Sequence, residues 1–195
     1  MARGSKLPEI PDFDSLETAA AGSHGQRTEL FGLIGNLVYT WSNNESLLVY
    51  LVMLLLQTDR PSALIVFGTL NTTRARVDLV QRLARVKVQD RELQQRLKGL
   101  MARFDAGTRL RNEYLHAMFS VDEAGRITHT HAMRIEERGR TIRFGTQRAM
   151  DEERLEALRT EIRSMNRLNR EFWLFLSALE AHLDGGAKGE DPKTR

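Results

Sequence analysis

Ten consecutive residues, Leu47 to Leu56, are apolar except for Tyr50, and no surface helix can be built from such a run. A helix that is apolar all round has no face to show water and must be covered on every side. The run is about half the roughly 20 residues that a membrane span requires, and Gln57-Thr58-Asp59-Arg60-Pro61 ends it. Leu47–Leu56 is therefore expected at the centre of a helical bundle or on a surface shared with a second copy of the chain.

Amphipathic helices are expected on both sides of that run. Leu30, Ile34, Leu37 and Trp41 recur at steps of four and three from about Thr28, and Asn44 and Glu45 then stand where the apolar seam should continue. Asp59 and Pro61 read as the cap and first turn of the next helix. Its period runs from Ala63 through Phe67, past Gly68, and on through Val77, Val80, Leu83 and Val86. A third helix is expected from about Asp90 to Phe119, with Leu93, Leu97, Leu100, Phe104, Leu115 and Met118 as its seam. A last one follows Met150, with Asp151-Glu152-Glu153 complementing its dipole. Its buried face is Leu155, Leu158, Ile162, Met165, Leu168, Phe172, Phe175, Leu176 and Leu179. Residues 1–27 hold scattered Gly and Pro and read as a flexible arm. Gly185-Gly186 is expected to stop the last helix, leaving 185–195 as a disordered tail. The expected fold is mainly α: a single domain over 28–184, a bundle of four to five helices.

One piece changes period. Ile127, His129, His131, Met133 and Ile135 alternate with polar residues, as in a strand. Glu137-Arg138-Gly139-Arg140 reads as a turn, and Ile142 and Phe144 continue on the return. A β-hairpin is expected over about 126–148, inserted before the last helix. It holds six arginines against two glutamates, a net of +4 in a chain whose total is +3. The hairpin therefore reads as the basic patch, with Arg126, Arg134, Arg140 and Arg143 as candidate RNA contacts.

The densest chemistry lies at Arg111-Asn112-Glu113-Tyr114-Leu115-His116. Arg111 falls in the middle of the third helix's seam, just after Gly107. Asn112 and His116 stand four residues apart, one helical turn. A charge at a seam position needs a partner, because left alone it costs several kcal/mol. One reading supplies a structural ion pair with Glu45 or Glu113. The other supplies a phosphate, with Arg111 holding it, Asn112 orienting it and His116 shuttling a proton near neutral pH. Residue types and spacing leave both open. Arg109, on the same face, is a further candidate RNA-backbone contact.

Arg111, Asn112 and His116 on a late helix of an all-helical chain resemble the Arg-x4-His signature of the HEPN domain superfamily, over about residues 28–183. The resemblance implies a helical bundle and a homodimer whose two motifs line a shared cleft. It also implies metal-independent endoribonuclease activity, in defence or toxin–antitoxin systems where an antitoxin or another protein is the partner. Other members keep the fold as non-catalytic scaffolds or regulators that bind a protein or RNA, which is the alternative function here. The inserted hairpin departs from the plainest family pattern.

Several other chemistries lack their residues. No cysteine is present, which excludes disulfides, thiolate metal sites and a cysteine nucleophile. No phosphate-cradling glycine loop, Gly-x-Ser-x-Gly elbow or His-Glu-x-x-His occurs. His129 and His131 share a strand face but find no third ligand in the sequence, so neither a metal nor a cofactor is expected. Arg3 and Lys6 precede no apolar stretch, so no secretory signal is read. A soluble, cytoplasmic protein without membrane association is expected. Arginine outnumbers lysine 24 to 5, which suits paired carboxylate or phosphate contacts.

Overall fold

The computed structural model describes residues 12–132, 135–138 and 141–187. The chain is mainly helical: α1 (Phe13–Gly22), α2 (His24–Ser46), α3 (Leu48–Leu56), α4 (Arg60–Thr69), α5 (Thr73–Lys87), α6 (Arg91–Leu115) and α7 (Glu152–Ala187). Among the described residues five strands lie between α6 and α7: β1 (Ala117–Val121), β2 (Ile127–Ala132), β3 (Ile135–Arg138), β4 (Thr141–Phe144) and β5 (Gln147–Ala149). The chain divides into two compact units. One comprises Met1–Ile34 and Glu113–Leu158, the other Gly35–Asn112 and Arg159–Arg195.

In the second unit α3 is the central helix. Leu47, Leu48, Val49, Leu51, Val52 and Leu55 are buried, Tyr50, Met53 and Leu54 are half-buried and Leu56 is exposed, so most of the apolar run is covered within its own protomer. Gln57 closes α3 in the left-handed conformation (φ 50°), its N–H donating to Leu54 O. Asp59 then caps α4, accepting from the backbone N–H of Ser62 at 2.8 Å. Hydrogen bonds from Ser62 hold its carboxyl below the ordinary aspartate range.

Asn44 explains why the seam carries a polar residue where α2 gives way to α3. It is fully buried, donates to Met165 O and accepts from the Asn169 side-chain amide, both at 3.0 Å. It thus ties α2 to α7 through the kind of hydrogen bond that a buried amide requires. Every residue expected on the buried face of α7, from Leu155 to Leu179, is buried.

The single helix expected over 61–87 is two. The break falls at Asn71-Thr72, where the Thr72 hydroxyl accepts from the N–H of Ala75 and starts α5. Threonine before a helical run is a start signal, and it outweighs the continuing apolar period.

The first unit holds the sheet. β1, β2 and β5 form a three-stranded antiparallel sheet in that order, and β3 pairs with β4 antiparallel. The 126–148 segment is therefore more than an isolated hairpin. Its first strand pairs with Ala117–Val121, which the helical spacing of Leu115 and Met118 assigned to α6. A short apolar run satisfies either period, and here the partner strand decides. Leu115 and Met118 are consequently exposed. The residues expected as an arm include α1 and the start of α2. Asp12 caps α1 by accepting from the N–H of Ser15. Gln26 then uses both ends of its amide on Ile127, donating to its carbonyl at 3.0 Å and accepting from its N–H at 2.9 Å. α7 continues through Gly185 to Ala187, and 188–195 lie outside the described residues.

Among the described residues no single helix is long and apolar enough to cross a membrane.

Candidate functional site

The site grows from one indole. Trp41, on α2, is buried, and three residues at successive turns of α6 meet it: Phe104, Thr108 and Arg111. The Phe104 ring stacks at 6.1 Å between centroids and 12° between planes. The Trp41 N–H donates to the Thr108 hydroxyl at 2.9 Å, and that hydroxyl donates to Phe104 O at 3.0 Å. The Arg111 guanidinium carbon lies 4.3 Å from the indole centroid. Between these contacts Gly107 turns toward α7. A Cβ there would stand 3.0 Å from the Met165 methyl carbon, so glycine suits the close approach.

Arg111 does occupy the seam, half-buried, and its protein partner is neither of the carboxylates that the ion-pair reading names. Its Nη1 donates to the Asn112 side-chain oxygen at 2.7 Å. Its Nε is buried and finds no hydrogen-bond partner. It pairs with no carboxylate among the described residues. Glu45 and Glu113, the two partners a structural reading would use, are taken up elsewhere. Glu45 pairs with Arg76 at 3.0 Å. Glu113, in the first unit, accepts from Arg148 at 2.9 Å and Arg154 at 2.6 Å.

The energetics of Arg111 are therefore unbalanced. A cation over an indole contributes about 0.5–2 kcal/mol, depending on desolvation. A buried donor without an acceptor costs about 1–3 kcal/mol. With Nη1 held by Asn112 and Nε closed off by burial, an anion's oxygens would meet the terminal donors of the fork that remain. The chemistry this arrangement can perform is to hold an oxyanion.

His116 belongs to the first unit and stands in the turn between α6 and β1, exposed. It is not part of a helix continuing to Phe119. Arg111 and Asn112 are thus joined by a direct hydrogen bond, and His116 is placed by the chain just after α6 ends.

The candidate RNA contacts fare differently. Arg109 forms an exposed (i, i+4) ion pair with Asp105. Arg126 is bound into the β1–β2 turn, its Nε donating to the Asp122 carboxylate at 2.9 Å. That carboxylate also accepts from the N–H of Ala124 and of Arg126, and the latter bond leads the causes that lower its pKa. Arg143 lies in β4, while Arg134 and Arg140 lie outside the described residues. Tyr114 is buried beneath Arg154, which gives it a packing role. His131 contacts the Ser120 hydroxyl at 2.7 Å, and among the described residues no three His, Asp or Glu side chains gather as metal ligands.

Two features escaped the sequence reading. Trp41 gave a seam signal indistinguishable from packing. The basic character of residues 73–98, eight cations against three carboxylates, exceeds that of the hairpin but is spread along two helices.

With the geometry laid out, the chain can be set against known proteins. No family model, curated protein or solved structure matches it. The functional reading accordingly stands on the residues themselves and on the motif's likeness.

Proposed function

We propose that this chain is a HEPN-like, metal-independent endoribonuclease acting as a homodimer, in a defence or toxin–antitoxin setting. The observation that supports it is Arg111, a half-buried guanidinium with no carboxylate partner among the described residues and only the Asn112 amide on its Nη1. In RNA cleavage the 2′-hydroxyl attacks the adjacent phosphorus, and the 5′-oxygen leaves. A 2′,3′-cyclic phosphate and a 5′-hydroxyl result. Arg111, oriented by Asn112, stabilises the charge on the phosphorane oxygens. His116 is the proton carrier. In the dimer, a second copy contributes the partner acid or base. Most of α3 is covered, and apolar surface for that copy is offered by Leu56 at its end and by α4, where Leu64 and Ile65 are 47% and 70% exposed.

The test is RNA cleavage in the presence of EDTA by the intact chain and by His116→Ala and Arg111→Ala. Cleavage is expected to survive chelation and to fall by about 10²-fold or more in each variant. Undiminished cleavage in both variants removes the site assignment.

A second reading, a non-catalytic dimeric scaffold that binds a protein or RNA, is favoured by the Trp41 stack, which gives Arg111 a structural use. Under that reading Arg111→Ala destabilises the fold and no RNA is cut.

A further inference from the structure

A groove of about 420 Å³ lies between α5 and α6, wholly within the second unit and formed by other residues than those around Trp41. Its volume falls in the range of ligand sites, about 300–1,000 Å³, but its walls are cationic. Ala84 and Leu97, both buried, lie at its base. Gln81 and Arg85 line it from α5. Arg91, Gln94, Gln95 and Lys98 line it from α6, and their i, i+3, i+4, i+7 spacing makes them one stripe along that helix.

Three features describe the ligand. First, no lining residue is a carboxylate, and Arg85, Arg91 and Lys98 pair with none among the described residues. Second, Arg91 and Lys98 are seven residues apart, about 10 Å along the axis, which leaves room for more than one phosphate between them. The groove suits anions in series. Third, three glutamines add acceptors as well as donors. The Gln94 amide nitrogen is already engaged with Val88 O at 2.7 Å, which leaves its oxygen for a ligand donor. A bare polyphosphate carries no such donor, whereas a nucleotide strand does.

We infer that this groove is a seat for the backbone of an unpaired nucleic-acid strand, with phosphates on Arg85, Arg91 and Lys98 and base or sugar donors on the glutamines. It guides a strand independently of what Arg111 does to it.

The test measures anisotropy of a fluorescein-labelled 2′-O-methyl oligouridylate, which lacks the attacking hydroxyl and cannot be cut by the proposed route. Binding therefore reads out whether or not the protein is a ribonuclease. Arg91→Gln/Lys98→Gln is expected to weaken binding at least tenfold at low salt. It should also make the slope of log affinity against log salt shallower by about 1.4, two phosphate contacts at about 0.7 each. Arg167→Gln/Arg170→Gln, an equal loss of charge on α7, should stay within threefold of the parent. Thermal melts confirm that all variants fold. No binding by the parent chain, or a groove variant indistinguishable from the α7 control, overturns the assignment. Tripolyphosphate competing as well per phosphate as unlabelled oligouridylate overturns its nucleotide part.

Discussion

Two arginines in the same unit are built from the same parts and end differently. Arg76 and Arg111 both lie over an aromatic ring, Phe67 at 4.1 Å and Trp41 at 4.3 Å. Arg76 is completed by protein: Glu45 takes its Nη1 at 3.0 Å, and its Nε donates to the carbonyls of Phe67 and Leu70 at the end of α4. Arg111 has an amide on one nitrogen and nothing on Nε. The first is what a structural arginine looks like when the fold needs it. Measured against it, Arg111 is under-partnered, and sites that depart from local satisfaction are where function tends to reside.

The largest expected effect on stability belongs to Arg76. Arg76→Ala leaves Glu45 only the Thr73 hydroxyl, Phe67 O only the Leu70 N–H and Leu70 O without its guanidinium donor, and should cost about 2–4 kcal/mol in urea unfolding. A cost below about 1 kcal/mol would erase the contrast with Arg111. Asn44→Ala comes next. It strips partners from Met165 O and Asn169 and should cost about 2 kcal/mol, again read by urea unfolding. An unchanged midpoint would show that the α2–α7 tie is dispensable.

Gly107→Ala sharpens the comparison at smaller scale. Its new methyl meets the mobile end of Met165 at 3.0 Å, so a shift within about 1 kcal/mol is expected. A loss near that of Asn44→Ala would mean that Met165 cannot yield and that the platform under Arg111 is rigidly set.

The smallest effect is acid sensitivity. Asp59 and Asp90, which cap α4 and α6, have carboxyls held below the ordinary aspartate range, by hydrogen bonds from Ser62 and chiefly from the Leu93 N–H respectively. A depressed folded-state value means that their contribution is full above the unfolded value, about 3.9, and is lost as pH falls through the lower folded value. Melting temperature should decline below about pH 4, and less steeply in Asp59→Asn/Asp90→Asn, since asparagine caps without titrating. Identical pH profiles would contradict the capping account.

The helices were legible because burial enforces period. All nine expected positions on α7 are buried, and Asp59 and Pro61 open α4 where their chemistry says they should. The break before α5 has a local signal, the Thr72 cap, which a continuing apolar period outweighs in the sequence. Two other errors share a different cause, a local signal answered by a distant partner. Leu115 and Met118 keep helical spacing, yet the strand at Ile127–Ala132 draws Ala117–Val121 into a sheet. Gln26 looks like arm sequence until Ile127 meets its amide. At the site, the charge at Arg111 and its need for a partner could be read from the seam. That Glu45 and Glu113 would already be engaged could not, because Arg76, Arg148 and Arg154 reach them only after folding.

The most direct test is Arg111→Met, which keeps the length and apolar stem of the side chain and removes its donors. Stability within about 1 kcal/mol of the parent, together with loss of EDTA-resistant RNA cleavage, is the result expected of an arginine kept for an oxyanion. A loss of stability comparable to Arg76→Ala, with cleavage untouched, would make Arg111 one more structural cation and contradict the account.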